Sequence, residues 1–144
     1  MVKHEVHTVW KEKLAFESHI DGKHIFKMDT AGELGDDSAA SPKKVLLSSL
    51  AGCTGMDVVS LLNKMRVPFT GLEIDVDADL GDDHPRVYQE IRLKYKVYGE
   101  DLDRSKVEKA ISLSKEKYCG ISAMLEKNCP IKYQIDYISA ANKK

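Results

Sequence analysis

Three thiols carry the most reactive chemistry in this chain: Cys53, Cys119 and Cys129. Their number is odd and no two form a CxxC pair, which argues against a disulfide scaffold built in an oxidising compartment. Free thiols, redox thiols or metal ligands remain. A cysteine inside a helix is most often a small buried hydrophobe, but Cys53 has unusual neighbours in Ala51-Gly52-Cys53-Thr54-Gly55-Met56. Two glycines in a helix interior cost about 1 kcal/mol each, so close approach of a backbone or ligand must compensate. Tight helix packing at a dimer axis explains them equally well. Cys119 lies between Tyr118 and Gly120 at the end of an expected helix, where the partial negative charge of a helix C-terminus disfavours a thiolate. That position suits a resolving thiol: Cys53 would attack an oxidant to give a sulfenic acid, and Cys119 would condense with it to form a disulfide that an external thiol reduces. Cys129, in Asn128-Cys129-Pro130, reads as a packing or surface residue. Asp57 stands one helical turn beyond Cys53 on the same face; unpaired, its carboxylate would raise the thiol pKa.

Other chemistries have less behind them. His4 and His7 are three apart, so on a strand they point to opposite faces, and the chain has no CxxC, HxxxH or HExxH spacing for zinc. No metal site is therefore expected, and the glycines form no nucleotide-binding loop. Twenty-two Lys and Arg against 23 Asp and Glu give a formal net charge of -1, so nothing draws the whole chain to nucleic acid or an anionic membrane. Only 7% of residues are aromatic, a thin stacking platform for single strands. The first ten residues, with Lys3, His4, Glu5 and His7, lack the apolar run of a secretory signal, and a cytoplasmic protein is expected. The run Val45 to Leu62 is apolar but holds Asp57 and several Ser, Gly and Thr residues, which favours a buried core helix over a membrane span.

The elements that must position these thiols are legible in the pattern. At 144 residues with 42% apolar content, residues 1–144 are expected to form a single domain with a core. Leu14, Phe16, Ser18 and Ile20 alternate with more polar neighbours, and Asp21-Gly22 supplies a two-residue hairpin turn before His24 to Met28. Thr30 to Ser41 has no period and reads as a loop. Ser41 is a good N-cap and Pro42 suits the first helical position, opening a helix that runs to about Arg66, roughly 37 Å. It is apolar nearly all round, so it must be wrapped on most sides, and a monomer of this size has difficulty covering it; a dimer is expected. Leu72, Ile74, Val76 and Ala78 alternate with Glu73, Asp75, Asp77 and Asp79, and Ile91, Leu93, Tyr95 and Val97 alternate with Arg92, Lys94 and Lys96. The acidic and basic rows would face each other across a hairpin. Asp101 or Asp103 caps a second helix with Val107, Ala110, Ile111 and Ser114 on one stripe, and Gly120 ends it. A short helix near Ser122 to Lys127 and a closing strand at Ile131, Tyr133, Ile135 and Tyr137 complete an α+β chain with an antiparallel sheet and no βαβ alternation.

The strings Ser41-Pro42-Lys43-Lys44-Val45-Leu46-Leu47-Ser48-Ser49-Leu50-Ala51-Gly52-Cys53-Thr54-Gly55-Met56-Asp57-Val58 and Leu113-Ser114-Lys115-Glu116-Lys117-Tyr118-Cys119 resemble the OsmC/Ohr family, the osmotically inducible and organic hydroperoxide resistance proteins. More narrowly they are similar to its YhfA-like branch. The resemblance implies an intertwined α+β homodimer, its sheets wrapped around two long central helices with a site at each end of the interface. It also implies a thiol-dependent peroxidase for organic hydroperoxides, active in oxidative or osmotic stress. Cys53 would be the peroxidatic and Cys119 the resolving residue, with a small or lipoyl-type dithiol as reductant and no metal or haem. Two positions depart from the family pattern. Lys43 stands where the peroxidases have a glutamate, and no arginine precedes Arg66, leaving Lys11 or Lys13 as cations near the place of the arginine that faces the thiolate. A lysine is a point charge without the bidentate geometry of arginine.

Overall fold

Turn chemistry builds the start of the chain. In the computed structural model, which describes residues 1–139, two compact units divide the chain after Leu46. The first contains β1 (Val6–Glu12), β2 (Ala15–Ile20) and β3 (His24–Met28) in an antiparallel meander of that order. Asp21 and Gly22 adopt φ of 55° and 65°, the paired left-handed conformation that matches strand twist. The Lys23 N–H closes the turn on the Ile20 carbonyl at 3.1 Å. Ile20 pairs with His24, so Lys23 is one residue more than the expected two-residue connection.

The loop that follows is organised by one carboxylate. Asp29 accepts hydrogen bonds from the Thr30 N–H at 2.7 Å, the Ser38 N–H at 3.0 Å and the Ser38 hydroxyl at 2.6 Å. These donors, the Ser38 hydroxyl foremost, lower its pKa from 3.8 to about 2. Gly35 is required there, since a Cβ would lie 2.0 Å from the Thr30 carbonyl oxygen. The loop delivers the chain to helix α1 (Pro42–Lys64), opened by Ser41, whose carbonyl accepts from the Val45 N–H at 3.0 Å. The helix ends two residues earlier than expected. Arg66 takes φ of 58°, its N–H bonds the Asn63 carbonyl, and the Val67 N–H returns to Leu62 at 2.9 Å, the double closure of a Schellman motif made without glycine.

In the second unit α1 lays a stripe of Leu50, Thr54, Val58 and Leu62, each four residues from the last, into the core. A single chain does not wrap this helix on most sides, in line with the difficulty expected of a monomer. Met56 is 77% exposed, Leu46 and Val59 are open too, and one chain of this size covers only the stripe. Length and composition alone would let Pro42–Lys64 cross a membrane; its buried stripe instead joins a core with Ile91, Leu93, Tyr95, Val97, Val107, Ala110 and Ile111.

That core rests on a sheet of order β4 (Gly71–Leu80), β5 (Tyr88–Tyr98), β6 (Ile131–Ile138). The expected charge rows do face each other: Asp75 is opposite Lys94 and Asp77 opposite Arg92, Lys96 reaches Asp75 at 2.8 Å, and Arg92 forks across Asp77, Asp79 and Glu90. These contacts fix register, because a slip of one residue would turn Ile91, Leu93, Tyr95 and Val97 outward. The sheet is not antiparallel throughout. β6 runs parallel to β5, with Ile91 opposite Ile131 and Tyr98 opposite Ile138, and the helical segment between them supplies the crossover that a parallel neighbour requires. That segment is α2 (Arg104–Leu113), capped by the Asp103 side chain on the Lys106 N–H, then a π-helical turn at Ser114–Tyr118 and α3 (Gly120–Glu126). Gly120 thus begins a helix rather than ending one.

Candidate functional site: two thiols and a carboxylate

The site grows out of two helical segments of the second unit. A regular α-helix puts residues four apart on one face, so Cys53 and Asp57 share a face of α1. Opposite them the π turn adds a residue to the helical ring, and the Cys119 N–H bonds the Ser114 carbonyl five residues back at 2.7 Å. Such bulges re-aim the residues at their ends and recur at functional sites. Here the result is that the Cys53 and Cys119 sulfurs and an Asp57 carboxylate oxygen lie within 4.8 Å of one another. Both cysteines are free thiols. Cys53 is half-buried and Cys119 is buried.

The setting of Cys119 corrects the sequence expectation. It closes the π turn and also serves as N-cap of α3, where its sulfur accepts the Ser122 N–H at 3.4 Å. Burial pushes its thiol above the ordinary value, the Ser122 N–H opposes that shift, and the neighbouring Cys53 adds to it. Cys119 is therefore held as a thiol by desolvation, rather than by the negative end of a helix.

A buried hydrogen-bond chain holds the carboxylate. Ser114 Oγ donates to Asp57 Oδ2 at 2.9 Å. Its single proton is spent there, so Thr54 donates to Ser114 over 2.8 Å, and Tyr95 donates to Thr54 over 2.7 Å. The direction is consistent with Tyr95, whose phenol burial pushes up to about 12 and so keeps protonated. All buried side-chain polar atoms among the described residues are satisfied, as such a network requires. Thr54, Ser114 and Tyr95 are the site residues that sequence reasoning missed. Their signal was faint but present: Thr54 and Ser114 are polar residues at the buried phase of two apolar stripes.

The remaining candidates lie elsewhere. Cys129 is buried in the core of the second unit, its N–H on the Leu125 carbonyl at 3.2 Å, as a packing residue. Gly55 does make the close approach expected of it, since a Cβ would stand 3.2 Å from Ile74 Cδ1, whereas Gly52 faces open space. Together with Met56 and Val59 these glycines line an open apolar groove against Leu72 and Ile74. A smaller pocket lies at the carboxylate, formed by Asp57, Ser60, Leu61, Lys64 and Tyr118. In the first unit Lys13 donates to Asp36 at 2.6 Å, and His19 pairs with Glu17 at 2.9 Å beside the ring of His7.

Comparison with known proteins agrees with the cysteine strings. The family described as OsmC-like protein matches residues 35–134. Protein YhfA of Escherichia coli (strain K12) is 35% identical over 131 residues, which is 91% of this chain and 96% of that protein. A hypothetical protein from Aquifex aeolicus VF5 superposes with a TM-score of 0.79 at 28% identity, covering 95% of this chain and 98% of the other. The organic hydroperoxide resistance protein OhrB of Bacillus subtilis shares the fold, with a TM-score of 0.64 at 18% identity over 94% of this chain and 98% of its own. On the family match and the YhfA identity, this chain belongs to the OsmC-like family, on its YhfA-like branch.

Proposed function

We propose that this protein is a thiol-dependent peroxidase for organic hydroperoxides that works as a homodimer. The observation that carries the reading is the approach of the Cys53 and Cys119 sulfurs, from elements 66 residues apart in sequence, to within 4.8 Å. The Cys53 thiolate would attack the distal peroxide oxygen; the O–O bond breaks, the alkoxide leaves as the alcohol after taking a proton, and Cys53 becomes a sulfenic acid. The Cys119 sulfur then attacks that sulfur, hydroxide leaves as water, and the disulfide is reduced by an external dithiol. The half-buried position of Cys53 suits the attacking role, and the Cys119 sulfur, within 4.8 Å, is near enough for the second one once it gives up its proton. The open apolar face of α1 supports a second copy of the chain as its cover, and free thiols fit a cytoplasmic setting.

One observation favours a rival reading, a non-enzymatic ligand-binding or redox-sensing dimer. Lys43 stands where the family's peroxidases carry a glutamate and no arginine precedes Arg66, while the Asp57 carboxylate lies within 4.8 Å of both sulfurs. Consumption of tert-butyl hydroperoxide and of hydrogen peroxide with a dithiol separates the two. The peroxidase reading expects turnover that favours the organic peroxide, vanishes in Cys53→Ser and stalls after a single oxidation in Cys119→Ser. Wild-type rates equal to those of Cys53→Ser would overturn it.

A further inference from the structure

We propose that Cys53, Cys119 and Asp57 form a binding site for one thiophilic divalent cation, zinc being the natural fit. This goes beyond the peroxidase reading and does not depend on it. Two thiols with one carboxylate are a donor set that selects zinc over the hard cations, which take oxygen ligands. Among the described residues these three are the group of Cys, His, Asp and Glu donors close enough to share an ion. With Zn–S bonds of about 2.3 Å, two sulfurs on a tetrahedral ion stand about 3.8 Å apart. The donor atoms already lie within 4.8 Å of one another, at most about 1 Å beyond that spacing.

The surroundings are those of a metal site. Ser114 Oγ donates to Asp57 Oδ2 at 2.9 Å, and the chain through Thr54 to Tyr95 holds that hydroxyl in turn; beside this one bond the carboxylate keeps acceptor sites for an ion. Outer hydrogen bonds of this kind orient ligating carboxylates. The Ser122 N–H on Cys119 Sγ stabilises a thiolate as it would a metal-bound sulfur. Three protein ligands leave the fourth tetrahedral position to water, an arrangement that keeps the ion open to exchange. On binding, the two thiols release their protons to solvent and the cation takes two thiolates and one carboxylate. The sequence spacing conceals the site because Cys119 arrives through the π turn, 62 positions beyond Asp57.

The site and the redox chemistry would exclude each other. Oxidation of the thiolate pair by an organic hydroperoxide removes two electrons, forms the disulfide and, with two protons from solvent, yields the alcohol and water; the cation then has one carboxylate left and departs.

The test is metal binding by the reduced full-length protein in the absence of peroxide, so it stands whether or not the peroxidase reading does. Co2+ is added as a spectroscopic probe, and Zn2+ affinity is measured against a chromophoric chelator. The expected result is one ion per chain, a thiolate-to-cobalt charge-transfer band, and displacement of Co2+ by Zn2+. Cys53→Ser should lose most of the band and weaken Zn2+ binding more than about 100-fold, beyond the cost of losing an outer-shell partner, and Ser114→Ala should weaken it about 10-fold with the band retained. Cys129→Ala should bind as the wild type does. Circular dichroism reports whether each variant folds. Because Cys53 is half-buried, Cys53→Ser decides the matter even if changes at Ser114 unfold the chain. A wild type without the charge-transfer band, or with the affinity of Cys53→Ser, overturns the proposal.

Discussion

The two compact units bury their apolar residues very differently. The second unit closes a core of its own, with Leu50, Leu62, Ile91 and Val97 wholly excluded from solvent. The first leaves Trp10 61% and Ile25 59% exposed, and among its described residues only Ala15, Ser18 and Asp29 are buried. A three-stranded sheet that buries so little of its own apolar surface has little to offset its ordering entropy. The difference teaches where preorganised chemistry can sit. Cys53, Asp57 and Cys119 are held by elements that share one core, which fixes their spacing, while the first unit is held mainly by local turns and the Asp29 loop.

The sharpest way to break this comparison is at the open face of α1. Met56→Asp should convert a dimeric protein to monomer in sedimentation while its circular dichroism stays native, because the site faces solvent in the single chain; a variant that stays dimeric would show that the face is covered in some other way. Next comes the core. Leu62→Ala should cost about 2–5 kcal/mol in denaturant melts through lost contacts and the cavity left behind, whereas Ile25→Ala should stay within about 0.5 kcal/mol in the monomeric form. Equal losses would mean that the first unit has a core after all.

A smaller effect sharpens the account of the site. Thr54→Val should cost about 1–3 kcal/mol, since it leaves the buried Tyr95 hydroxyl without its acceptor, and it should loosen the Asp57 carboxylate, read by a changed pH profile of thiol alkylation.

The smallest effect concerns the first unit and is read with acid. Because Asp29 has its pKa lowered to about 2 in the folded state, its contribution is present above the unfolded value near 3.8 and is lost as pH falls toward 2. Trp10 is the single tryptophan and lies in this unit, so its fluorescence should follow an acid transition that Asp29→Asn flattens. An unchanged transition would assign the acid sensitivity to another carboxylate.

Much of this molecule was written in its period and its punctuation. The alternation of Leu72 to Asp79 against Ile91 to Val97 determined the β4–β5 hairpin and its register, because side chains of a half-buried strand reveal their face directly. Ser41-Pro42 marked the start of α1 for an equally local reason, the orphan N–H groups of a first helical turn. The cysteine strings likewise pointed to the family and singled out Cys53 and Cys119 as the candidate thiols.

Other features are invisible at that range. The closing strand was legible at Ile131 to Tyr137, but its direction was not, since pairing with β5 is decided by where the crossover through α2 and α3 returns. The early stop of α1 at Lys64 depended on Arg66 adopting a left-handed turn that its type does not announce. The π turn at Ser114–Tyr118 has no period of its own in five residues, and it leads directly into Cys119 beside Asp57. The chain from Tyr95 through Thr54 and Ser114 joins three elements, so no local pattern could contain it. Sequence by itself determined which residues are candidates for chemistry, because residue type and local periodicity are properties of neighbours along the chain. Only the tertiary structure decided what surrounds the two sulfurs, because burial, hydrogen-bond partners and a carboxylate at close range are properties of neighbours in space.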